Sequence, residues 1–191
     1  MNTLSLRRLQ VSNAQDIREV QAVFRQTPSY TFATQGRAPT DADAERLIKL
    51  LPSQLSEEDK HVLAVYRNSE LIGCAVVVCS YPRANVAFIA LLLIIEPLQG
   101  NSLGVAVLRQ IAALAGLWGY ERLGIVVDSA NERAHAFWVR EGFIEQYRKP
   151  SKEFTGEVIL MERNVGASSS VEARPDRGPG VPPSAPSRLE R

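Results

Sequence analysis

A segment of small residues, QGNSLG at 99–104, lies between an apolar run and a stretch with helical periodicity. Small residues leave backbone N–H groups uncovered, and the start of a helix carries partial positive charge, so the segment suits a phosphate or pyrophosphate. An ordinary helix start with Ser102 as N-cap fits the same residues. Because no Lys-Ser/Thr pair follows Gly104, the segment is not a Walker A loop, and the chain holds no GxGxxG dinucleotide fingerprint.

A second group of residues follows at 131–143. Asn131 fits the N-cap of a helix, and the three-residue spacing of Ala134 and Phe137 places both on one helical face. Trp138 follows directly, and Gly142 can end the helix. By itself this pattern describes ordinary capping and core packing.

Taken together, in this order and at this spacing, the two groups resemble the GNAT acetyltransferase superfamily. Its pattern has Arg/Gln-x-x-Gly-x-Gly/Ala opening a helix after a buried strand, followed by Asn-x-x-Ala-x-x-x-Tyr and then Gly-Phe. Less specifically, the resemblance extends over residues 1–165. It implies an α/β fold, with acetyl-CoA as co-substrate. The matching residues are Gln99, Gly104, Asn131, Ala134, Gly142 and Phe143.

By this resemblance, acetyl-CoA lies where two parallel strands splay apart, and its pantetheine arm pairs with exposed strand backbone. We expect the separation where the first strand ends at Glu96-Pro97, because proline cannot continue a ladder. N–H groups two residues apart point the same way in a strand, so those of Leu92 and Ile94 would face the arm together. The amides of 101–105 would hold the pyrophosphate. The acetyl-CoA-binding residues that the resemblance implies are Leu92, Leu93, Ile94, Gln99, Gly100, Asn101, Ser102, Leu103, Gly104, Val105, Asn131, Phe137 and Trp138.

Three positions depart from the family pattern. Ser102 stands where glycine is usual, which brings a Cβ and a hydroxyl close to the phosphate. Pro97 lies one residue nearer the loop than usual, and Glu96 takes the usual proline position. Trp138 replaces the tyrosine that protonates the departing CoA thiolate. An indole N–H donates hydrogen bonds but gives up no proton, so we expect Trp138 to pack on the pantetheine and not to act as an acid.

The reaction that the resemblance implies is direct attack of an amine on acetyl-CoA. The Leu92 N–H would donate to the carbonyl oxygen as negative charge develops there. An alkylammonium has a pKa of about 10, so some group must take its proton. The candidates are Glu96, Asp128, Tyr30 and a chain of water molecules, and Asp128 fits a cap of the following turn as well.

The acceptor is expected at a loop, Thr27–Pro39, and at the helix that follows it. Acidic residues outnumber basic ones around this helix, which suggests either a cationic amine acceptor or a solvated helix whose acids favour its N-terminus. The acidic residues are Asp41, Asp43, Glu45, Glu57, Glu58 and Asp59, against Arg46, Lys49 and Lys60.

The elements that must position these residues follow from periodicity and turn signals. The predicted fold class is α/β, a GNAT-like mixed central sheet that is mostly antiparallel, with one parallel βαβ unit and flanking helices. Asp16, three residues after Asn13, stands at the capping-box position of the first helix. The expected elements are a strand at 4–10, helices opened by Asn13 and by Thr40 with Asp43, strands at 61–67, 71–80 and 86–95, a helix at 104–118, a strand at 123–127, a helix at 131–141, and strands at 143–148 and 157–163.

The chain has 191 residues, of which 45% are hydrophobic and 23% charged, and its net charge is +1. These values suit one globular domain and argue against a nucleic-acid-binding face. No apolar run is long enough for a membrane span, and the N-terminus lacks a signal segment, so we expect a cytoplasmic protein. Cys74 and Cys79 predict buried thiols on opposite faces of a strand. Residues 166–191, rich in Pro, Ser and Gly, are expected to be a disordered tail after an acetyltransferase domain at 1–165.

The function expected is an N-acetyltransferase that acts on a primary amine in a ternary complex, with a small molecule as the favoured acceptor. Two alternatives stay open. One is an acyl-CoA-binding regulatory module without activity, which the missing tyrosine would allow. The other is an N-acetyltransferase for protein or peptide amines. The expected partners are acetyl-CoA and an amine, without nucleic acid, membrane or metal, and a homodimer stays open.

Overall fold

A computed structural model describes residues 3–151 and 157–166 of the chain. The tail predicted at 166–191 lies outside these residues, apart from Gly166. The described residues form seven strands and five α-helices, with short 3-10 turns at Glu57–Asp59 and Glu96–Leu98. The elements are β1 Leu4–Arg8, α1 Ala14–Arg25, α2 Pro28–Gln35, α3 Asp41–Lys49, β2 Lys60–Arg67, β3 Glu70–Cys79, β4 Val86–Ile94, α4 Leu103–Leu117, β5 Arg122–Asp128, α5 Glu132–Arg140, β6 Ile144–Pro150 and β7 Glu157–Asn164.

The strands form one mixed sheet in the order β1-β2-β3-β4-β5-β7-β6. Within the described residues, every neighbouring pair is antiparallel except β4 and β5, which are parallel and are connected through α4. The predicted fold class is therefore confirmed. The strand and helix types predicted along the chain are confirmed as well, with one exception between α1 and α3.

Helices pack on both faces of the sheet. Ile111 of α4 and Trp138 of α5 belong to the core on one face, while Val23 of α1 and Ile48 of α3 belong to the core on the other. The apolar strand β4 contributes to both cores, as its unbroken run of apolar residues predicted. Ile89 and Ile94 lie in the first core, and Leu91 and Leu93 lie in the second.

The helix α1 begins at the predicted N-cap but without the predicted capping box. The Asn13 side chain accepts a hydrogen bond from the Gln15 N–H at 2.8 Å. Asp16 instead accepts from the Gln10 N–H at 2.7 Å and from Arg7 Nη1 at 3.0 Å. The capping-box prediction for Asp16 is wrong because the carboxylate instead binds the Arg7 guanidinium and the backbone N–H of Gln10, in the loop after β1.

The segment predicted as a loop, Thr27–Pro39, contains the helix α2. Pro28 occupies the first turn, where its missing N–H has no partner to lose, and Gly36 ends the helix in a left-handed conformation with φ 69°. Thr31 is the buried residue of this helix. The loop prediction is wrong because a helix without an apolar stripe shows no hydrophobic period, although its two end signals are present in the sequence.

The strands β4 and β5 pair over a short distance only, and the last pair is Phe88 opposite Gly124. Beyond this pair, β4 continues to pair with β3, and β5 with β7. The facing edges of β4 and β5 are therefore left without a strand between them. This gap, between residues 89–94 and 125–128, is termed the opening below.

The opening starts earlier than predicted and has a different cause. The register between β3 and β4 skips Ala90, which lies between Ile89 and Leu91 as an extra residue. Such a β-bulge bends its strand and increases the local twist, which directs β4 away from β5. The prediction that Pro97 causes the separation is wrong, because Pro97 comes after the strand has ended.

Cys74 and Cys79 are both buried and free, and the alternation of β3 places them on opposite faces, as predicted. Burial raises the pKa of the Cys74 thiol to about 12. Within residues 3–151 and 157–166, no helix is both long and apolar enough to cross a membrane. The same residues contain no cluster of three His, Cys, Asp or Glu side chains that would hold a metal ion.

Candidate active site

The β4 edge of the opening carries backbone N–H groups that face no neighbouring strand. The Ile95 N–H donates to Ile72 O on the β3 side at 2.9 Å, so the alternation of an antiparallel pair directs the Leu93 N–H to β3 as well. The N–H groups of Leu92 and Ile94 therefore point into the opening. Leu93 does not face the opening, and its side chain is buried in the core under α1 and α3.

The loop after β4 is held by two amide side chains. Gln99 Nε2 donates to Ile94 O at 2.8 Å, which attaches the loop to the open edge of β4. Asn101 Nδ2 donates to Leu98 O at 3.2 Å. Because both amide groups bond to the protein's own backbone, the surface that the loop presents to a ligand is its backbone.

The loop enters α4 through two residues with left-handed backbone conformations. Gly100 has φ 83° and Ser102 has φ 58°. Ser102 is the N-cap by position, but its hydroxyl makes no capping hydrogen bond, so its role as an ordinary side-chain cap is not observed. The first bond of the helix runs from the Ala106 N–H to Ser102 O at 3.1 Å. The N–H groups of 103–105 precede that bond and can donate to another acceptor.

The helix α5 touches α4 near this loop. Asn131 is the N-cap of α5, and its Oδ1 accepts from the Ala134 N–H at 3.1 Å. A Cβ added to Gly104 would lie 3.5 Å from the Phe137 ring. The glycine thus lets the first turn of α4 approach an aromatic ring of α5 closely.

Trp138 lies inside the core that α4 and α5 cover, and only 9% of its surface is exposed. Its ring packs nearly edge-on against Phe137 and Phe143, with centroid distances of 4.9 and 5.0 Å. Aromatic pairs of this geometry hold each other in place beyond the effect of burial alone. The residue at the family's tyrosine position is therefore a fixed part of the core.

Sequence comparison agrees with this geometry. The sequence model of the acetyltransferase (GNAT) family matches residues 20–143. The chain belongs to the GNAT acetyltransferase family. It is therefore a member of a transferase family, and that family uses acetyl-CoA. No curated protein sequence matches the chain.

Solved acetyltransferase structures share this fold. An acetyltransferase from Thermus thermophilus is 28% identical with a TM-score of 0.68, and the match covers 85% of this chain and 97% of that one. An aminoglycoside acetyltransferase in complex with coenzyme A has a TM-score of 0.63 at 20% identity, covering 85% and 95%. The ribosomal-protein-S18-alanine N-acetyltransferase from Escherichia coli has a TM-score of 0.60 at 16% identity, covering 91% and 100%. The last two likenesses concern the fold alone.

Of the three base candidates in this GNAT chain, Glu96 binds the backbone of α2. Its Oε1 accepts from the Ser29 N–H at 2.7 Å. The hydrogen bond from Ser29, with the nearby positive charge of Arg133, lowers the pKa of the Glu96 carboxyl below its ordinary value. A carboxylate with a lowered pKa is a weaker proton acceptor, so the geometry favours a structural role.

Tyr30 packs edge-on against Phe24, with ring centroids 6.0 Å apart. Burial raises the pKa of the Tyr30 phenol to about 12. The phenol therefore stays protonated at neutral pH and cannot serve as a base there.

Asp128, the third candidate, ends β5 at the border of the opening. It is 5% exposed, and its Oδ1 accepts from the Ala130 N–H at 2.9 Å, which is the turn-capping interaction considered above. Its Oδ2 is buried and has no hydrogen-bond partner in the described part of the chain. One carboxylate oxygen of Asp128 is thus left without a donor among the described residues.

The acidic excess near α3 is largely engaged within the protein. Asp43 caps the helix with Thr40, as predicted, and accepts two hydrogen bonds from Arg37 at 2.6 and 2.8 Å. This guanidinium holds the pKa of the Asp43 carboxyl well below its usual range. Asp41 pairs with Arg25 at 3.1 Å. These pairs support the interpretation of a solvated, capped helix.

Two features that shape the site were not anticipated from the sequence. One is the bulge at Ala90, for which the sequence offers no local signal. The other is Gly73, where an added Cβ would lie 2.3 Å from Leu93 O. A glycine inside an apolar strand run is a signal for such a close backbone approach.

Proposed function

We propose that this protein is an N-acetyltransferase that transfers the acetyl group of acetyl-CoA to a primary amine by direct attack in a ternary complex. The observation that carries the proposal is the unpaired edge of β4, with the Leu92 and Ile94 N–H groups facing the opening, next to the free N–H groups of 103–105. A strand edge suits the two amides of a pantetheine arm, and a helix start suits a pyrophosphate.

Acetyl-CoA binding would use both features at once. The pantetheine would lie along the edge of β4 as an additional strand, and the pyrophosphate would accept hydrogen bonds from the amides of 101–105. The Asn131 and Phe137 side chains would border this path from α5. Because Gly104 lies close to the Phe137 ring, the start of α4 and the side of α5 would adjoin the same part of the arm.

Two groups of the protein would then assist the reaction. The Leu92 N–H would donate to the acetyl carbonyl oxygen and stabilise the developing oxyanion, an effect of about 3–4 kcal/mol in other acyl-transfer sites. Trp138 would support the arm by packing. A thiol has a pKa of about 8.5, so the CoA thiolate leaves readily near neutral pH without a tyrosine acid.

We favour a small-molecule amine as the acceptor. In support, one fold relative has a name that gives aminoglycosides as substrates. Another fold relative, by its name, acetylates an alanine of a ribosomal protein, which makes a protein N-terminus the competing acceptor class. Activity on peptides but not on small amines would favour that second class.

The first test is calorimetric titration with acetyl-CoA, comparing Gly104→Asp with Gly104→Ala. The alanine Cβ would make ordinary contact with Phe137, so affinity should stay within about threefold. Aspartate adds like charge beside the pyrophosphate and should weaken binding at least about tenfold. Equal affinities of both variants for acetyl-CoA would contradict a pyrophosphate site at the start of α4.

The second test measures release of free CoA thiol with small amines and with peptides as acceptors. Thiol release that depends on a small amine supports the proposal. Tight acetyl-CoA binding without turnover on any acceptor would instead identify an inactive acyl-CoA-binding module.

A further inference from the structure

Five acidic side chains are buried in the described part of the chain, and four of them pair with an arginine. The pairs are Arg7–Asp16 at 3.0 Å, Arg37–Asp43 at 2.6 Å, Arg140–Glu141 at 3.4 Å and Arg83–Glu162 at 2.6 Å.

The fifth buried acid is Asp128, which has no cationic partner in residues 3–151 and 157–166. Its Oδ2 accepts no hydrogen bond there, although the oxygen is enclosed. Enclosing a carboxylate oxygen without a donor costs free energy, because the oxygen loses its hydrogen bonds to water and forms none with the protein. The described residues supply no donor to Oδ2, so this oxygen is available to a water molecule or to a donor group of a ligand.

The place of Asp128 indicates which molecule brings that donor. Asp128 is the last residue of β5, at the border of the opening. Strand alternation puts it on the same face as Val126, which is 41% exposed although β5 lies inside the sheet. Ala90, in the bulge across the opening, is exposed too. Exposed apolar side chains on the strands that border the opening, with an enclosed carboxylate at the end of one of them, suit an amine with an apolar body.

We propose that Asp128 binds the ammonium group of the acceptor and accepts its proton, with the apolar part of the amine against the exposed side chain of Val126, which shares a face of β5 with Asp128. This inference rests on the acetyltransferase function proposed above and adds the acceptor class, a cationic alkylamine. Glu96 and Tyr30, the other base candidates, are unsuited by their hydrogen bonding and burial.

One N–H proton of the alkylammonium moves to Asp128 Oδ2, which leaves a lone pair on nitrogen. That pair forms the C–N bond to the acetyl carbon while the C–S bond breaks and its electrons leave with the CoA sulfur. The nitrogen loses a second proton, which neutralises the thiolate, and Asp128 returns its proton to water. The sum is ammonium plus acetyl-CoA giving amide, CoA thiol and one proton.

The test compares wild type, Asp128→Asn and the control Glu121→Gln, an exposed acid before the start of β5, at the other end of the strand. Alkylamines such as butylamine and benzylamine are charged at neutral pH, whereas aniline is not. We expect Asp128→Asn to lower kcat/KM for the alkylamines at least about 100-fold and for aniline less than about threefold. Glu121→Gln should match wild type. Equal losses for both amine classes, or no loss, would overturn the proposal.

A binding measurement covers the case in which no amine of the panel turns over. Butylammonium is titrated calorimetrically into protein saturated with CoA, which has no acetyl group to transfer. Binding that Asp128→Asn abolishes supports the proposal, and wild type that binds no alkylammonium, or a variant that binds it equally, overturns it. Failure of acetyl-CoA itself to bind would contradict the proposed function, which is a separate result.

Discussion

The Glu96 carboxylate accepts a hydrogen bond from the Ser29 N–H at 2.7 Å, and the Glu96 N–H donates to Gln26 O at 3.0 Å. These two bonds connect the residue that follows the open edge of β4 with the start of α2. Glu96, one of the candidate bases, thus attaches α2, the helix of the expected acceptor region, to the sheet.

Glu96→Gln tests this role, because glutamine keeps an oxygen for the Ser29 N–H but cannot take up a proton. We expect kcat/KM for an amine acceptor to stay within about threefold of wild type. Glu96→Ala removes the acceptor of the Ser29 N–H in the first turn of α2. It should therefore lower the unfolding free energy by about 1 kcal/mol, measured by urea denaturation. A 100-fold or greater loss of turnover in Glu96→Gln would instead assign proton transfer to Glu96.

Ser102→Gly should raise the melting temperature, because Ser102 has a left-handed backbone with φ 58° and gains no capping hydrogen bond in return. A residue with a Cβ pays about 1–2 kcal/mol for a left-handed backbone conformation, and glycine avoids this cost. Glycine also gains conformational entropy in the unfolded chain, which cancels part of the benefit. We expect a gain of about 2 °C by differential scanning calorimetry. Ser102→Ala is the control, since it keeps the strain and should show no gain. Equal behaviour of the two variants would mean that the backbone conformation is not the cause.

Trp138→Phe should keep turnover within about tenfold, because the indole supplies packing and no proton. Trp138→Tyr adds a phenol at this position and should leave turnover at least unchanged. Trp138→Ala should lower the unfolding free energy by about 3–5 kcal/mol, since the ring is buried between Phe137 and Phe143. Steady-state kinetics with thiol detection measures the first two variants. Loss of turnover in Trp138→Phe with acetyl-CoA binding intact would show that the indole N–H acts in the transition state.

Asp43→Asn should destabilise the protein by about 2 kcal/mol at neutral pH, because the buried carboxylate accepts hydrogen bonds from Arg37 and Thr40. Asp41→Asn, at an exposed pair with Arg25, is the control and should change stability by less than about 1 kcal/mol. Urea denaturation at neutral pH measures both.

The same pair of variants has a pH signature. The pKa of Asp43 lies below its ordinary value of 3.8 in the folded state, so its stabilisation is complete above that value and is lost as the pH falls further. Wild type should therefore lose stability more steeply than Asp43→Asn below about pH 4. If the unfolding free energies of the two proteins fell in parallel with decreasing pH, Arg37 would not be holding the Asp43 carboxylate ionised.

Local signals in the chain were sufficient for much of the fold. The N-cap at Asn131, the capping box of Thr40 with Asp43 and the apolar run of β4 act between neighbours in sequence, so each element type can be inferred where it occurs. The family pattern around Gln99 and Gly142 adds the order in which those elements assemble. These signals can be recognised in the sequence because each depends on backbone groups only a few residues away.

Contacts between distant residues could not be inferred in this way. The bulge at Ala90 exists only in the register of β4 against β3, and Glu96 meets Ser29 only once α2 has docked. The sequence offered Asp128 both as one of three candidate bases and as a cap of the following turn. That Asp128 has no arginine partner among the described residues is visible only in the structure, which shows what surrounds each buried acid, as Arg83 surrounds Glu162 from a distant part of the chain. The physical reason is that the free energy of a carboxylate depends on which charges and dipoles surround it in space, and residues far apart in the chain can supply them.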